Sequence, residues 1–190
     1  MTKRVIIGGL LGGIMLFIWG SLAHIVLGLG NVGLKDLPND PSVLTVLSSS
    51  ISEPGMYFFP GLNLPANPTS EQRTAAMKDE DAKATTGPNG LLIIHPHGGG
   101  GFTGTRLLNE FLLNVVQAML LAVLLAWAAP ISGYLPRVAF VTVAGFFAAL
   151  ATNIQYWNWY GFPADYTLAY ITNETVGFLV VGLVAGALVK

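Results

Sequence analysis

Four long stretches that are almost free of charge constrain this chain more than any other feature of its sequence. Three of them, 5–34, 111–134 and 138–164, contain no Asp, Glu, Lys or Arg, and the fourth, 166–189, contains only Glu174. A helix needs about 20 apolar residues to cross a bilayer, and each stretch is longer than that. We therefore expect an all-α integral membrane protein with a four-transmembrane-helix bundle. The predicted spans are 5–30, 109–130, 137–158 and 166–189.

The overall composition supports a membrane protein and excludes several other classes. Hydrophobic residues make up 53% of the chain and charged residues 10%, whereas soluble domains carry about 25% charged residues. No basic patch is present that would neutralise a phosphate backbone, so we expect no nucleic-acid partner. The absence of cysteine excludes disulfides and thiolate chemistry. The expected partners are membrane lipids, including bound lipid, and other integral membrane subunits or a second copy of the chain.

The basic residues predict the orientation. Four spans place both termini on one side, and that side then holds Lys3, Arg4, Arg137 and Lys190 without any acidic residue. Short cytoplasmic segments are enriched in Lys and Arg in this way. We therefore expect an N-in/C-in protein of a plasma membrane of the bacterial inner-membrane type, with the long segment 35–106 outside the cytoplasm.

The first span resembles a secretory signal, because a basic start precedes an apolar run and the small-residue motif Ser21-Leu22-Ala23. The apolar run continues past this motif through 25–29, which favours an uncleaved anchor.

The segment 35–106 is too long for a loop without structure of its own. Asn39-Asp40-Pro41 has the pattern of a helix start, with Asp40 as the cap, and predicts a helix over 43–51. Thr69-Ser70-Glu71-Gln72 opens a second helix that runs to about Lys83. The apolar runs 56–59 and 91–95 predict a two-stranded sheet. We expect a mostly helical extracytoplasmic cap here, and no independent catalytic domain.

Small residues predict where the spans pack together, because helices in lipid approach closely only where side chains are small. Gly9 and Gly13 share one face of the first span, and Gly182 and Gly186 have the same spacing in the last. An aromatic belt of the kind found at membrane interfaces lies at the C-terminal end of the third span. It consists of Tyr156, Trp157, Trp159 and Tyr160.

The polar residues inside the spans fall at one depth. From a rise of about 1.5 Å per residue, Glu174 lies about 24 Å from Lys190, in the outer half of its helix. Two interpretations of this cluster stay open: interhelical hydrogen bonds that hold the bundle together, or the floor of an outward-facing site for a ligand or ion. The cytoplasmic halves are apolar, so we expect no continuous proton path. The cluster comprises His24, Asn114, Gln117, Asn153, Asn173 and Glu174.

Two histidines offer a candidate metal site. His95 and His97 flank Pro96 just before four glycines, and in an extended chain side chains two residues apart lie on the same side. With His24 or Glu174 as a third ligand they would suit Zn²⁺ or Cu²⁺. The alternative is a flexible return of the chain to the membrane. No resident cofactor beyond this metal is expected, and no residues form a recognisable catalytic group.

Three functions remain open from the sequence. The first is a non-catalytic accessory or structural subunit of a larger membrane complex, of the respiratory or photosynthetic type, which the small-residue faces and the aromatic belt favour. The second is a membrane receptor or carrier that binds a small ligand or ion around Glu174. The third is a metal-dependent membrane enzyme that uses His95 and His97. We prefer the first, in which the protein is not an enzyme.

Overall fold

The structure is a computed structural model and describes residues 3–128 and 131–189. The chain divides into two compact units, residues 36–101 and the rest; we call them the inserted unit and the bundle. Four helices are long and apolar enough to cross a membrane, and all four belong to the bundle. In chain order the elements are α1 (Lys3–Ser21), α2 (Asp40–Ser50), β1 (Gly55–Phe59), α3 (Ser70–Thr86), β2 (Gly90–Ile94), α4 (Gly104–Trp127), α5 (Tyr134–Tyr160) and α6 (Ala164–Leu188).

The first span ends before its predicted bound of residue 30 (predicted 5–30). Regular α-helix ends at Ser21, and one wider π-helical turn continues it to Val26, where the N–H of Leu27 donates to the carbonyl of Leu22 at 3.0 Å. Gly28 then adopts a φ of 68°, a left-handed conformation that glycine tolerates without strain. Helix propensity alone did not predict this stop, because the residues from 25 to 29 are as apolar as a helix interior.

The other spans differ from the predicted 109–130, 137–158 and 166–189 by a few residues at each end. The second begins earlier, at Gly104, because the Thr103 hydroxyl accepts a hydrogen bond from the N–H of Arg106 at 3.3 Å and so caps the helix. Its predicted end, Pro130, lies outside the described residues, as does Lys190.

The four spanning helices pack in the order α4, α1, α6, α5. Helix α1 lies between α4 and α6, and α5 packs along α6, whereas the consecutive helices α4 and α5 scarcely touch. Consecutive helices joined by a short turn usually lie side by side. Here they do not, so the four-helix bundle is open along the side between α4 and α5.

Glycines lie at the two closest helix crossings. A Cβ atom added to Gly9 would lie 2.8 Å from the Cα of Met119, and one added to Gly13 would lie 2.5 Å from the Cα of Val115. On the other side, a Cβ at Gly182 would lie 3.0 Å from the carbonyl oxygen of Val138, and one at Gly186 3.2 Å from Val138 Cγ2. These four positions thus bring α1 against α4 and α6 against α5 by removing side-chain bulk.

The inserted unit contains the two helices and the paired strands expected for it. Strands β1 and β2 are antiparallel, with Gly55 opposite Ile94. The Thr69 hydroxyl accepts from the N–H of Gln72 at 3.2 Å, and the Gln72 side chain accepts from the N–H of Thr69 at 2.9 Å, which starts α3 with a capping box. The cap of α2 is Asn39 and not the expected Asp40. No residue of α2 or α3 is buried.

Candidate functional site

A cavity of about 640 Å³ lies among the four spanning helices, at the end of the bundle where α1 ends and α4 begins. Five of the six polar residues singled out from the sequence line it: His24 from the end of the first span, Asn114 and Gln117 from α4, and Asn173 and Glu174 from α6. The sixth, Asn153 of α5, reaches the cavity through its hydrogen bond to Glu174. The structure therefore brings the cluster together around one space.

The amide of Asn153 holds the carboxyl group of Glu174 in place. Its Nδ2 atom lies 3.2 Å from Glu174 Oε2 and 2.9 Å from the carbonyl oxygen of Ala149. Since an amide nitrogen carries two hydrogens, it donates to both, and Asn153 is only 5% exposed. The structure thus gives Glu174 an amide as a hydrogen-bond partner.

A second carboxyl group lines the cavity from α4. Glu110 accepts a hydrogen bond at 3.1 Å from Asn114 Nδ2, one turn further along the same helix. Asn114 is 6% exposed, so its amide is fixed within the wall of the cavity. The described lining contains these two carboxyl groups, one histidine, and no Lys or Arg. Its polar groups therefore suit a ligand that carries positive charge or hydrogen-bond donors.

Trp19 fixes α1 to α6 directly beside the cavity. Its indole Nε1 donates to the main-chain oxygen of Asn173 at 3.0 Å, which satisfies a donor that would be costly to leave unpaired in lipid. Gly177 allows this approach, because a Cβ there would lie 2.7 Å from Leu16 Cδ1 and 3.2 Å from Trp19 Cδ1. The side-chain oxygen of Asn173 is buried and has no hydrogen-bond partner among the described residues, so a donor is missing at this point.

An aromatic row leads from the cavity along the start of α6. The ring of His24 meets the ring of Tyr170 edge-on, with centroids 6.2 Å apart, and Tyr170 stacks on Tyr166 at 4.3 Å. Phe162 continues the row to Tyr156 at 5.2 Å. Tyr170 itself lines the cavity, where the face of an aromatic ring attracts a cation.

The predicted aromatic belt lies in the last turn of α5. Tyr156 and Tyr160 have ring centroids 6.0 Å apart, and Trp159 donates to Gln155 Oε1 at 3.0 Å. All four belt residues, Trp157 included, are exposed. Only Tyr156 also belongs to the row that leads to the cavity.

An apolar groove of about 770 Å³ separates α4 from α5. Gln117, Ala148 and Phe178 line both this groove and the cavity, so the two spaces adjoin. The groove extends from there towards the α4–α5 connection, and Gln117 is the one polar side chain in its described lining. Its remaining lining residues are Leu120, Leu121, Leu124, Ala139, Phe140, Val143, Ala144, Gly145 and Phe147.

Sequence reasoning missed the groove and several residues of the cavity. Trp19 and Phe178 were not singled out, although a tryptophan deep in an apolar span carries a donor that must find a partner. Glu110 lies near the start of the predicted second span, 109–130, and was not included in the predicted polar cluster. The groove has no clear signal in the sequence, because its α4 wall consists of leucines and Gln117 whereas its α5 wall mixes small and bulky residues.

The two histidines of the predicted metal site lie in a turn of the inserted unit. The N–H of Gly98 donates to the carbonyl of His95 at 3.1 Å, so the expected extended conformation is wrong. His97 Nε2 lies 3.0 Å from the main-chain oxygen of Ser52. Within residues 3–128 and 131–189, no group of three or more His, Cys, Asp or Glu side chains is placed to hold a metal ion. The Zn²⁺ or Cu²⁺ hypothesis thus gains no third ligand from the described chain.

No protein-family model, curated protein or solved structure matches this chain.

Proposed function

We propose that this protein binds a small positively charged ligand within the membrane, in the cavity among the four spanning helices, and serves as its receptor or carrier. The observation that carries the proposal is the lining: two carboxyl groups, Glu110 and Glu174, face one space that holds no Lys or Arg among its described residues. Ionisable groups inside a membrane are costly and mark functional sites by default.

The arrangement of Glu174 supports binding more than a purely structural role. A carboxyl group that served only to hold helices together would spend its hydrogen-bonding capacity on them. Asn153 occupies one oxygen of Glu174, and the side chain is half-buried and faces the cavity. A ligand ammonium would supply the missing charge, and Tyr170 would lie beside it as an aromatic wall.

Within this proposal the protein lies N-in/C-in in a bacterial-type plasma membrane, with the inserted unit outside the cytoplasm. The basic residues Lys3, Arg4 and Arg137 on one side support that orientation. The cavity then opens to the outside, so the ligand arrives from the external leaflet or the external solution.

Equilibrium dialysis of radiolabelled butylammonium against the full chain in phosphatidylcholine nanodiscs tests the proposal. We expect saturable binding to the wild type and binding at least about tenfold weaker to Glu174→Gln, which keeps the shape of the side chain and removes its charge. Glu71→Gln in α3 is the matched control, because it removes one carboxylate that does not line the cavity. Equal binding by the wild type and Glu174→Gln, or no saturable binding at all, would overturn the proposal.

A second candidate is a non-catalytic subunit of a larger membrane complex, and the open side of the bundle favours it. An apolar groove between two spanning helices is a surface that a neighbouring subunit would cover. Extraction in mild detergent decides this: a stoichiometric second membrane protein supports the subunit role. Purification as a stable monomer without a partner removes it.

A further inference from the structure

We propose that the ligand is a cationic amphiphile, whose ammonium head occupies the cavity and whose single hydrocarbon chain lies in the α4–α5 groove. This inference rests on the proposed function and names the class of molecule that the site accepts. It unites two spaces that were described separately above, one lined by polar groups and the other by apolar ones.

The first observation is that the two spaces adjoin at one level of the bundle. Gln117, Ala148 and Phe178 border both of them. On the cavity side of this level lie Asn114, Asn173 and Glu174. On the groove side the described lining is apolar apart from Gln117 itself. A molecule that crosses the level therefore passes from a polar to an apolar environment, which matches the two ends of an amphiphile.

The second observation is that the groove opens on the outer surface of the bundle. Its rim residues are strongly exposed, with Val143 at 64%, Phe147 at 72% and Leu120 at 59%. Since these helices are long enough to span a membrane, the surface that the rim faces is bilayer hydrocarbon. A chain already dissolved in the bilayer can thus move sideways into the groove without crossing water. The deeper wall is closed, because the ring of Phe178 packs against the space left by Gly145.

The third observation is length. With a rise of about 1.5 Å per residue, the groove extends about 10 Å along α4, from Gln117 to Leu124, and about 13 Å along α5, from Ala148 to Ala139. An extended hydrocarbon chain advances about 1.3 Å per carbon, given bonds of about 1.5 Å. The groove therefore holds about eight to ten carbons. Any longer chain leaves it at the α4–α5 end.

The same length argues against a transmembrane helix as the occupant. Helix α4 is about 36 Å long at that rise, so the groove covers only about a third of it. A neighbouring helix would follow α4 past Gln117, where the adjoining space becomes polar and holds two carboxyl groups. A hydrocarbon chain that ends in a cation fits both spaces, with its chain in the apolar groove and its charge in the polar cavity.

The test uses butylammonium, octylammonium and hexadecylammonium with the full chain in phosphatidylcholine nanodiscs, and it compares the wild type with Ala144→Phe. Ala144 lines the groove and does not line the cavity, so a Phe at this position takes up space in the groove. We expect the wild-type affinity to rise from butyl to octyl and to level off beyond about ten carbons, after correction for partition into empty nanodiscs. In Ala144→Phe we expect octylammonium to bind at least about tenfold more weakly, and butylammonium to bind within about twofold of the wild type.

Two controls keep the outcome decisive. Ala151→Phe makes the same change on α5 at an exposed position that lines neither space, and it should keep the full dependence on chain length. Leu120→Trp narrows the groove from α4 at an exposed rim position, so it repeats the test if Ala144→Phe does not fold. Binding of butylammonium that depends on Glu174, with no difference between wild type and both groove variants for octylammonium, would overturn this inference and leave the proposed function standing. No binding of any ammonium compound would remove both.

Discussion

At the residue scale, the Asn153 amide is the link between the packing of the bundle and its candidate site. It donates to a carbonyl of its own helix and to the carboxyl group of Glu174. Because Nδ2 makes both bonds, the amide cannot rotate away from one without losing the other. The carboxyl group of Glu174 is thereby held at a fixed position relative to α5.

A double-mutant cycle measures this bond. Asn153→Leu should lower the free energy of unfolding in detergent by about 1 kcal/mol, and the loss should shrink when Glu174→Leu, which has no side-chain acceptor, is already present. We expect a coupling energy of about 0.6 kcal/mol, the average for hydrogen bonds between membrane helices, and no more than about 1.7 kcal/mol, the largest value found. Strict additivity of the two changes would show that the hydrogen bond does not form. Asn153→Asp should cost more than Asn153→Leu, since it places a second carboxyl group beside Glu174.

The indole of Trp19 allows a second residue-scale prediction. Trp19→Phe keeps a ring against Gly177 but removes the donor to Asn173, so stability should fall by about 1 kcal/mol in thermal unfolding. Trp157→Phe is the matched control, because Trp157 lies exposed in the aromatic belt. Equal effects of the two changes would contradict a specific role for the Trp19 hydrogen bond.

Part of this site follows from sequence alone. The depth of Glu174 and Asn153 follows from the regular rise of a helix, which is why these residues were expected at one level. Which amide binds the carboxyl group depends on the rotation and lateral order of the helices. His24 and Gln117 belong to the same predicted polar cluster, and no physical rule applied to the sequence chooses between them and Asn153.

At the element scale, α1 determines where the bundle is tight and where it is hollow. Gly13 lies against the backbone of α4, whereas a Cβ at Gly20, on the same face, would meet nothing within 4 Å. Helices α1 and α4 therefore separate between these two glycines, and the cavity begins there.

These two glycines make a matched pair of substitutions. Gly13→Ala should destabilise the bundle by about 1–3 kcal/mol, since a Cβ there would lie 2.5 Å from the Cα of Val115 and backbone cannot yield as a side chain can. Gly20→Ala should be neutral or stabilise by up to about 1 kcal/mol, because alanine favours helix and the space is open. Chemical unfolding in detergent measures both effects. A similar loss of stability at the two positions would contradict the separation of α1 and α4 near Gly20.

The sequence predicted the closest crossings because glycine at helical spacing has a direct steric meaning. It did not predict the gap between α4 and α5, because Ala139, Ala144 and Ala148 of α5 line that gap and small residues also allow close contact. Ala118 of α4 packs towards Gly12 of α1, and Gly145 of α5 receives the ring of Phe178. Between the two helices, leucines of α4 face a mixture of small and bulky residues of α5, and such faces are equally compatible with contact and with lipid.

At the scale of the whole molecule, the four spans were the most predictable feature, because a long run without charged residues indicates a helix surrounded by lipid. Orientation is a separate property, which the positions of Lys and Arg predict. The absence of cysteine makes it measurable without background labelling. Ser49→Cys in the inserted unit and Ser132→Cys in the α4–α5 connection introduce single thiols at exposed positions.

With a membrane-impermeant maleimide, Ser49→Cys should be labelled in intact cells, and Ser132→Cys only after the membrane is opened. The opposite pattern would reverse the orientation and place the cavity on the cytoplasmic side. Labelling of both in intact cells would contradict four spans.

Because the bundle is open along one side, the surrounding bilayer contributes to the distance between α4 and α5. Helices α4 and α5 make few contacts with each other, so the lateral pressure of the acyl chains acts on the gap between them. We expect thick or tightly ordered membranes to narrow this gap, and short or disordered acyl chains to widen it. The capacity of the groove thereby becomes a property that the protein shares with its lipid solvent, and it changes when that solvent is replaced by a detergent.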